Sequence, residues 1–482
     1  MISATLADRP KSALLLPVGI AVVWIALLLM GNDVGSQADG LPVLGLMLGL
    51  VFVLMLVLGL GLGLGLATRA GAAGIFSPAG AQRWVTASLL VAVVFVLSLS
   101  FRKREIGEVD LDWQNGLKLA MWVGLLCVGA SRWRQIVSLL VKPELALAFS
   151  YAGIALVSAA WSPVPSYTAA CAIGLIAYLL LASVAAIDLG MHASVRLITY
   201  TLLAYVVLGL AGGLLLPGMT WLEPMGEEVF YRLQGFSSHP NVFGQEAGLL
   251  LTFAVIAHRL KLIRRPMFWF VLLVGTIVIV LTNSKTTLVA VMLAWGLVAA
   301  RNSPHAGVML MGVLLATALV LFVMAIGAVP DVSDLLGGLS RSGDINEIRT
   351  LTGRTELWSV AWEKIAEKPL LGWGYNGTEE LLSSSMDRTF YGEAVNAHNV
   401  VMQTLVSLGF LGSLPLFALM GRLIVDFIRR PDRSRDQLVA LAILGGISEV
   451  SIAGTPVLLT LLFFCALTWD APIEPSVPGG VQ

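Results

Sequence analysis

The stretch TAACAIGLIAYLLLASVAAI, which runs from Thr168 to Ile187, decides the fold. None of its residues carries a charge, and most of its side chains are aliphatic. A helix that crosses the roughly 30 Å hydrocarbon core of a bilayer needs about 20 such residues, because lipid offers no hydrogen-bond partner to an exposed backbone group. The stretch is therefore predicted to be a transmembrane helix.

The composition extends this prediction to the rest of the chain. Of the 482 residues, 57% are hydrophobic and only 12% are charged, and the mean hydropathy is +0.87. A water-soluble globular protein has about 25% charged residues, so this chain lacks the polar surface that solubility requires. The 49 glycines lie within runs of Leu, Val and Ala, a pattern typical of closely packed transmembrane helices.

Other stretches meet the same length criterion. Together they make about fourteen candidate spans, some of them short. The candidates are residues 12–30, 41–66, 84–101, 116–130, 145–161, 168–187, 196–216, 241–257, 267–282, 286–300, 306–327, 396–421, 437–452 and 456–469. We therefore predict an all-α polytopic membrane protein with about 12–14 transmembrane helices. The spans are expected to form a single integral membrane domain over residues 1–482.

Two clusters of basic residues set the predicted orientation. They are HRLKLIRR, at His258–Arg265, and RRPDRSR, at Arg429–Arg435. Basic residues in short loops stay on the cytoplasmic side of the membrane. Counting spans from either cluster places both termini in the cytoplasm. It also places residues 217–240 and residues 328–395 in two outer loops.

The outer loop of residues 328–395 is long for a compact protein, and loops of this length are either functional or disordered. Its tryptophans, among them Trp358, favour an ordered loop, since large apolar rings are usually buried. The run Thr355–Lys368 has helical spacing and stops before Pro369. One stripe of that helix is apolar and consists of Leu357, Ala361 and Ile365. We expect a partly helical periplasmic loop that folds back onto the membrane surface.

Charge and cysteine content exclude several classes of function. The 30 basic and 30 acidic residues leave no net charge, so a nucleic-acid partner is not expected. Cys127, Cys171 and Cys465 lie in apolar stretches, which excludes a disulfide framework and a thiolate metal site. The acidic pairs Glu227–Glu228 and Glu379–Glu380 lie in outer loops, where such residues are usually solvated. We predict no metal ion and no cofactor.

One histidine is a candidate proton acceptor. Of the 5 histidines, His239 and His398 are predicted to face outward. His398 lies in NAHN, between Asn396 and Asn399, where the long loop re-enters the membrane. Imidazole is the side chain best suited to take up a proton near neutral pH. The alternative is an interfacial histidine that packs against lipid headgroups.

Two outward arginines are candidates for binding a diphosphate. Arg232 lies in YRLQGFSSHPN, and Arg354 lies in LTGRTELW directly before the helix predicted to begin near Thr355. Arginine binds phosphate oxygens through two parallel hydrogen bonds, and free N–H groups at a helix start add to the field for an anion. The alternatives for Arg354 are an ion pair with Glu356 or a contact with lipid phosphate.

Ionisable residues within predicted spans form a further set of candidates. Glu246 lies in NVFGQEAG and Lys285 in TNSKTT, and Glu449 is a weaker case of the same kind. Charged groups at membrane depth are costly and indicate function by default, although these positions are close enough to span ends to reach water. Aromatic residues of the outer loops, including Tyr375, could stack on sugar rings or form an interfacial aromatic belt.

Four stretches, taken in order, resemble the bacterial O-antigen ligase and O-antigen polymerase superfamily. They are RLQGFSSHPNVFG (Arg232–Gly244), TNSKTTLVA (Thr282–Ala290), LTGRTELWSVAWEKIAEKPLLGWGYN (Leu351–Asn376) and NAHNVVMQTLVSLGFLG (Asn396–Gly412). An earlier match is Ala160–Pro163, and the resemblance extends over roughly Tyr151–Phe417.

The resemblance implies a GT-C-like inner-membrane glycosyltransferase that inverts the anomeric centre. Its donor would be a glycan on undecaprenyl diphosphate, its acceptor a glycan or a lipid-linked sugar, and its active face periplasmic. It would use no metal ion. Ligase and polymerase (an exopolysaccharide polymerase included) both remain open.

The resemblance also implies roles for particular residues. Arg232 and Arg354 would bind the diphosphate, and His398 would be the catalytic base. Further residues are expected to support the site: Asn396, Asn399, His239, Glu246, Lys285 and Tyr375. One departure is the number of candidate spans, because about fourteen exceed the roughly twelve that are usual in the family.

A transporter or flippase of lipid-linked glycans is the alternative function. It would account for the number of spans and for Glu246 and Lys285 within them. It also predicts two related halves with paired broken helices and a site near the bilayer midplane. The sequence shows neither feature.

Overall fold

A computed structural model gives the conformation of most of the predicted spans. It describes residues 78–99, 113–223, 231–301, 305, 308, 354–378, 381–382, 396–447, 449–450 and 452–469. The candidate spans at 12–30, 41–66 and 306–327 lie outside the described residues. The chain divides into two compact units, Met1–Phe95 and Val96–Gln482, and the features below belong to the second unless stated.

The described residues are almost entirely helical. The helices are α1 (Pro78–Ser98), α2 (Trp113–Ser131), α3 (Trp133–Leu139), α4 (Pro143–Val157), α5 (Pro165–Asp188), α6 (Gly190–Leu215), α7 (Pro217–Thr220), α8 (Pro240–Arg259), α9 (Arg265–Thr282), α10 (Lys285–Arg301), α11 (Arg354–Glu367), α12 (Val400–Arg429), α13 (Arg433–Gly445) and α14 (Leu458–Thr468). A 3-10 turn at Ser158–Ala160 extends α4. The strands β1 (Trp221–Leu222) and β2 (Arg232–Leu233) form a short antiparallel hairpin.

The prediction of an all-α polytopic membrane protein is confirmed. Six of these helices are long and apolar enough to cross a bilayer: Pro143–Ala160, Pro165–Asp188, Gly190–Leu215, Pro240–Arg259, Arg265–Thr282 and Val400–Arg429. Four shorter apolar helices accompany them: Gln82–Ser98, Gly116–Ser131, Thr286–Arg301 and Leu458–Thr468. The predicted helix at Thr355–Lys368 is present as α11, which ends before Pro369.

The stretch Thr168–Ile187 forms most of α5, the central helix of this unit. Pro165 opens α5 at a position where its missing N–H is no loss. Helices α2, α4, α6 and α14 all pack against α5. This packing explains why its sequence lacks a polar face: a helix surrounded by other apolar helices is hydrophobic on all sides.

The basic clusters meet at one end of the helices, which we call the basic end. Arg259, at the end of α8, donates to the backbone oxygen of Arg433 and to Gln437 Oε1, both at 3.3 Å. Arg301, at the end of α10, pairs with Asp436 in the first turn of α13. Because successive spans run in opposite directions, the turn after α4, the hairpin and the start of α12 lie at the opposite end, the site end.

Helix α12 is broken at Gly409, whose φ of 63° and ψ of −172° are not helical. The loop that follows α11 supplies hydrogen bonds to the backbone groups around this break. The four bonds run from Phe410 N to Pro369 O (2.7 Å), from Leu411 N to Leu370 O (3.1 Å), from Trp373 N to Val406 O (2.9 Å) and from Gly374 N to Ser407 O (2.7 Å). A helix can break within a membrane protein only where other groups satisfy its backbone in this way.

The contact between loop and break requires glycine at Gly372. Its φ is 62°, and a Cβ there would lie 2.6 Å from backbone atoms of Ser407, Leu408 and Gly409. Backbone atoms of a packed helix cannot move aside as a flexible side chain can. The close approach of the loop to α12 therefore depends on the absence of a side chain at this position.

We predict that Gly372→Ala destabilises the protein by about 1–3 kcal/mol, because the added methyl group overpacks against backbone. Thermal unfolding of the purified protein in detergent measures the effect. Gly421→Ala, within α12 and with nothing within 4 Å of the new Cβ, is the control and should not lower the unfolding temperature. Equal unfolding temperatures for the two variants would contradict the proposed packing.

Candidate functional site

His398 occupies a strained turn just before α12. Its φ is 45°, in the left-handed region that residues other than glycine seldom adopt. Local bonds hold the turn: the His398 N–H donates to Asn396 Oδ1 at 2.9 Å, and Asn399 Oδ1 accepts from the N–H groups of Val401 and Met402. Asn399 thus caps α12. Strain of this kind costs about 1–3 kcal/mol and often occurs at functional sites.

Three neighbouring elements fix the same turn. Trp358, in α11, donates its Nε1–H to the backbone oxygen of Ala397 at 3.0 Å. Gln403, in α12, accepts from the Ala397 N–H at 2.9 Å. Asn399 donates its Nδ2–H to the backbone oxygen of Ile447, in the loop after α13, at 3.1 Å. The position of the imidazole is therefore set by long-range contacts as well as by the local sequence.

A carboxylate faces the imidazole. His398 Nδ1 lies 3.4 Å from Glu449 Oε2, and the two side chains are 35% and 25% exposed. Nδ1 makes no hydrogen bond among the described residues, and the contact is an ion pair only when the imidazole is protonated. A carboxylate at this position would stabilise an imidazolium, and the role of His398 as a base stays a prediction. From the sequence, Glu449 is only an ionisable residue within a predicted span. Its pairing with His398 is indicated there only by the position of both residues at predicted outer ends of spans.

Helix α11 packs beside this pair through the predicted apolar stripe. The buried cluster consists of Leu357, Ala361, Ile365, Leu382, Ala397, Leu405 and Val406. The helix begins at Arg354, one residue before the predicted start at Thr355, so the free N–H groups of its first turn lie one helical turn from Trp358. The side chain of Arg354 lies outside the described residues, and its role in binding a diphosphate stays a prediction.

The loop Lys368–Thr378, which fills the break in α12, also holds Tyr375. This side chain is fully buried and presents no ring face to a sugar. Its N–H donates to Ser158 Oγ at 2.9 Å, and its hydroxyl donates to the backbone oxygen of Gly454. Burial raises the pKa of Tyr375 well above its ordinary range, so the hydroxyl stays protonated and remains a donor. Tyr375 therefore lies inside the protein, and its supporting role at the site stays a prediction.

Residues 446–447, 449–450 and 452–457, between α13 and α14, connect the two loops of the site, and we call these described residues the bridging loop. At one end, Glu449 faces His398. At the other end, Thr455 Oγ1 accepts from Asn376 Nδ2 at 2.8 Å, next to the contact between Tyr375 and Gly454. The bridging loop therefore ties the NAHN turn and the GWGYN segment to one framework.

The AWSP segment belongs to the same framework. Trp161 donates its Nε1–H to the backbone oxygen of Leu371 at 3.1 Å. A Cβ at Gly374 would lie 2.5 Å from Cβ of Ser162, so glycine is needed for the loop to approach this turn. Three of the stretches that carry the family resemblance thus contact one another at the site end.

Arg232 is buried and bonded to other protein groups, unlike an anion-binding arginine that is open to solvent. It is only 3% exposed. Its Nε donates to the backbone oxygen of Thr282 at 3.1 Å, and its Nη2 donates to Asn241 Oδ1 at 2.6 Å. These contacts tie β2 to the end of α9 and the start of α8. These contacts do not test the predicted role of Arg232 in binding a diphosphate, and that role stays a prediction.

The remaining candidates lie near Arg232. His239 is exposed, and its Nδ1 accepts from the N–H of Asn241 at 3.1 Å, which caps α8. Glu246 is 3% exposed and accepts a hydrogen bond from Ser237 Oγ at 2.6 Å. Lys285 begins α10, and its side chain lies outside the described residues.

The site end therefore holds two groups of predicted residues. The first group lies around the start of α12, next to the start of α11, and consists of Asn396, His398, Asn399 and Tyr375. The other gathers Arg232, His239 and Glu246 around the start of α8. The two groups belong to helices that pack together, since α8 contacts both α13 and α14, the helices that flank the bridging loop.

Comparison with known families finds a match to part of this chain. Residues 247–417 match the family described as O-antigen ligase. The matched region includes α11, the loop Lys368–Thr378 and the NAHN turn, while Arg232 precedes it and Glu449 follows it. The match confirms the resemblance to the O-antigen ligase superfamily and supports glycan transfer of the ligase or polymerase type. No curated protein matches the chain.

We predict that Tyr375→Phe lowers the free energy of unfolding by about 1–3 kcal/mol, because it leaves the buried oxygen of Gly454 without its donor. Chemical or thermal unfolding in detergent measures the loss. Tyr231→Phe removes an exposed hydroxyl and serves as the control, with stability unchanged. If both variants unfold alike, the contact with Gly454 does not hold the bridging loop.

Proposed function

We propose that the protein transfers or polymerises a glycan from an undecaprenyl-diphosphate carrier onto an acceptor sugar at the periplasmic face of the inner membrane. The observation that carries this proposal is the His398–Glu449 pair, whose histidine lies within the region that matches the O-antigen ligase family. The reaction uses no metal ion and no cofactor.

The orientation follows from the charge distribution. Arg259, Arg301 and Arg433 all lie at the basic end, and basic residues of short loops mark the cytoplasmic side. His398 lies at the opposite end of α12, so the site faces the periplasm. With the number of spans predicted from the sequence, both termini would be cytoplasmic.

The chemistry begins with the acceptor hydroxyl. Its proton passes to Nε2 of His398 as its oxygen attacks the anomeric carbon of the donor. The bond between that carbon and the phosphate oxygen breaks, and the undecaprenyl diphosphate leaves with the electron pair from the opposite face. The anomeric configuration is inverted. Glu449 holds Nδ1 and stabilises the imidazolium while the proton is on the ring.

The diphosphate gains negative charge as it leaves. Arg354, together with the N–H groups at the start of α11, would stabilise this charge next to His398. Arg232 would act on the same group from β2, in addition to the structural contacts that it makes. Ligase and polymerase reactions share these steps and differ only in the acceptor, which is a lipid-linked sugar or another glycan.

The transporter alternative is less well supported. Among the described residues, α12 has a break, at Gly409, as a transporter helix could have. The loop Lys368–Thr378 occupies that break and satisfies its backbone, so the break offers no open carbonyl groups to an ion or substrate.

We predict that His398→Ala lowers the rate of glycan transfer by about 10²–10⁴-fold, the usual contribution of a positioned base. Glu449→Gln keeps the shape but removes the charge, and it should lower kcat with little change in KM. The assay uses the purified protein with lipid-linked donor and acceptor on the same face of a vesicle, and gel analysis of the product. His192→Ala, an exposed histidine at the basic end, is the control. Near-normal product from His398→Ala would remove this residue from the mechanism.

A second prediction concerns the diphosphate. Arg354→Lys keeps the charge but loses the paired donors, so we expect transfer to fall about 10- to 100-fold, the range for losing a hydrogen bond to a charged group. Arg134→Lys, at an exposed arginine near the basic end, is the matched control. Full activity of Arg354→Lys would show that only charge is used at that position.

A further inference from the structure

A cavity of about 470 Å³ lies at the site end, against the hairpin that carries Arg232. The residues that line it are Pro217, Gly218, Trp221, Glu223 and Tyr231. Its volume falls within the range of small-molecule sites in proteins. None of the roles assigned above uses this cavity.

The floor of the cavity is rigid. Thr220 Oγ1 donates to the backbone oxygens of Gly212 and Leu216, which fixes the short helix α7 to the end of α6. Trp221 donates its Nε1–H to the backbone oxygen of Gly213 at 2.9 Å, so its indole ring is held in place. A preformed site of this kind binds without a large cost in side-chain ordering.

The chemistry of the lining selects a class of ligand. Trp221 and Tyr231 provide aromatic surface, and Glu223 provides a carboxylate that accepts hydrogen bonds. None of the described residues that line the cavity is basic, which disfavours a lipid phosphate or the diphosphate itself. A neutral ring with apolar C–H faces and hydroxyl donors fits all three side chains, since it can stack on the aromatic rings and donate to the carboxylate.

The position of the cavity relates it to the reaction. Tyr231 directly precedes Arg232, and Leu222 of β1 pairs with Arg232 in the hairpin. Arg232 itself turns inward to Thr282 and Asn241, whereas Tyr231 is 61% exposed. The cavity is therefore lined by the exposed neighbour of Arg232 and not by its buried guanidinium.

We propose that the cavity formed by Trp221, Glu223 and Tyr231 is a glycan subsite that binds a sugar ring of the substrate away from the reacting bond. This inference rests on the proposed function and specifies its substrate recognition. The subsite increases affinity for the glycan and takes no part in proton transfer.

The experiment uses the full-length protein in nanodiscs and measures binding by saturation-transfer NMR. The probe is the soluble oligosaccharide that mild acid releases from the polyprenyl-linked glycan of the cells that make this protein. Trp221→Ala should weaken its binding about tenfold, as loss of a buried aromatic anchor does. Glu223→Gln should weaken binding less, because it keeps a hydrogen-bond acceptor. Trp269→Ala, which removes a tryptophan that is 58% exposed on α9, is the matched control and should bind as the wild type does.

Two results would overturn the subsite. One is unchanged oligosaccharide binding by both Trp221→Ala and Glu223→Gln. The other is binding of glycerol phosphate, a lipid headgroup probe, at this cavity in place of the oligosaccharide. Kinetics on the same samples separate this proposal from the proposed function: Trp221→Ala should raise KM for glycan without lowering kcat. Glycan binding at the cavity by a wild-type protein that makes no glycosidic bond would refute the proposed transfer and leave the subsite standing.

Discussion

The structure depends on how the broken backbone of α12 is satisfied. A transmembrane helix that breaks at Gly409 exposes N–H and C=O groups that lipid cannot pair. The loop after α11 pairs them, and Gly372 permits the close approach. The loop is fixed at one end to α12 and at the other end to the bridging loop, through the bond from Tyr375 to Gly454. The hydrogen bonds at the break therefore help to position the two segments next to His398, which are the start of α12 and the bridging loop.

The site is built from loops that a rigid helical frame holds in place. His398 and Glu449 belong to different loops, and neither the NAHN turn nor the bridging loop is regular structure. Each is fixed by hydrogen bonds from neighbouring helices, such as the bond from Trp358 to Ala397. This division would suit the proposed transferase, since the helices face lipid while the loops present polar groups to water.

The fold was largely predictable because each span obeys a local rule. The run Thr168–Ile187 is apolar throughout, and it became α5; the run Thr355–Lys368 has a 3.6-residue period, and it became α11. The site was only partly predictable. The candidacy of His398 followed from its residue type and its position in NAHN. Its partner Glu449 could not be paired with it, because α12 and α13 separate them along the chain.

The sequence by itself determined the membrane class and the approximate positions of the described helices, since hydrocarbon and helix geometry act on neighbouring residues. It placed the end of the span predicted at 437–452 too late, because the helix ends at Gly445. Tertiary structure alone decided which candidates are buried and what they contact. Arg232 and Tyr375 look equally suited to substrate from their loops, yet both lie inside the protein with protein partners. Burial is a property of packing between distant segments, and no local pattern encodes it.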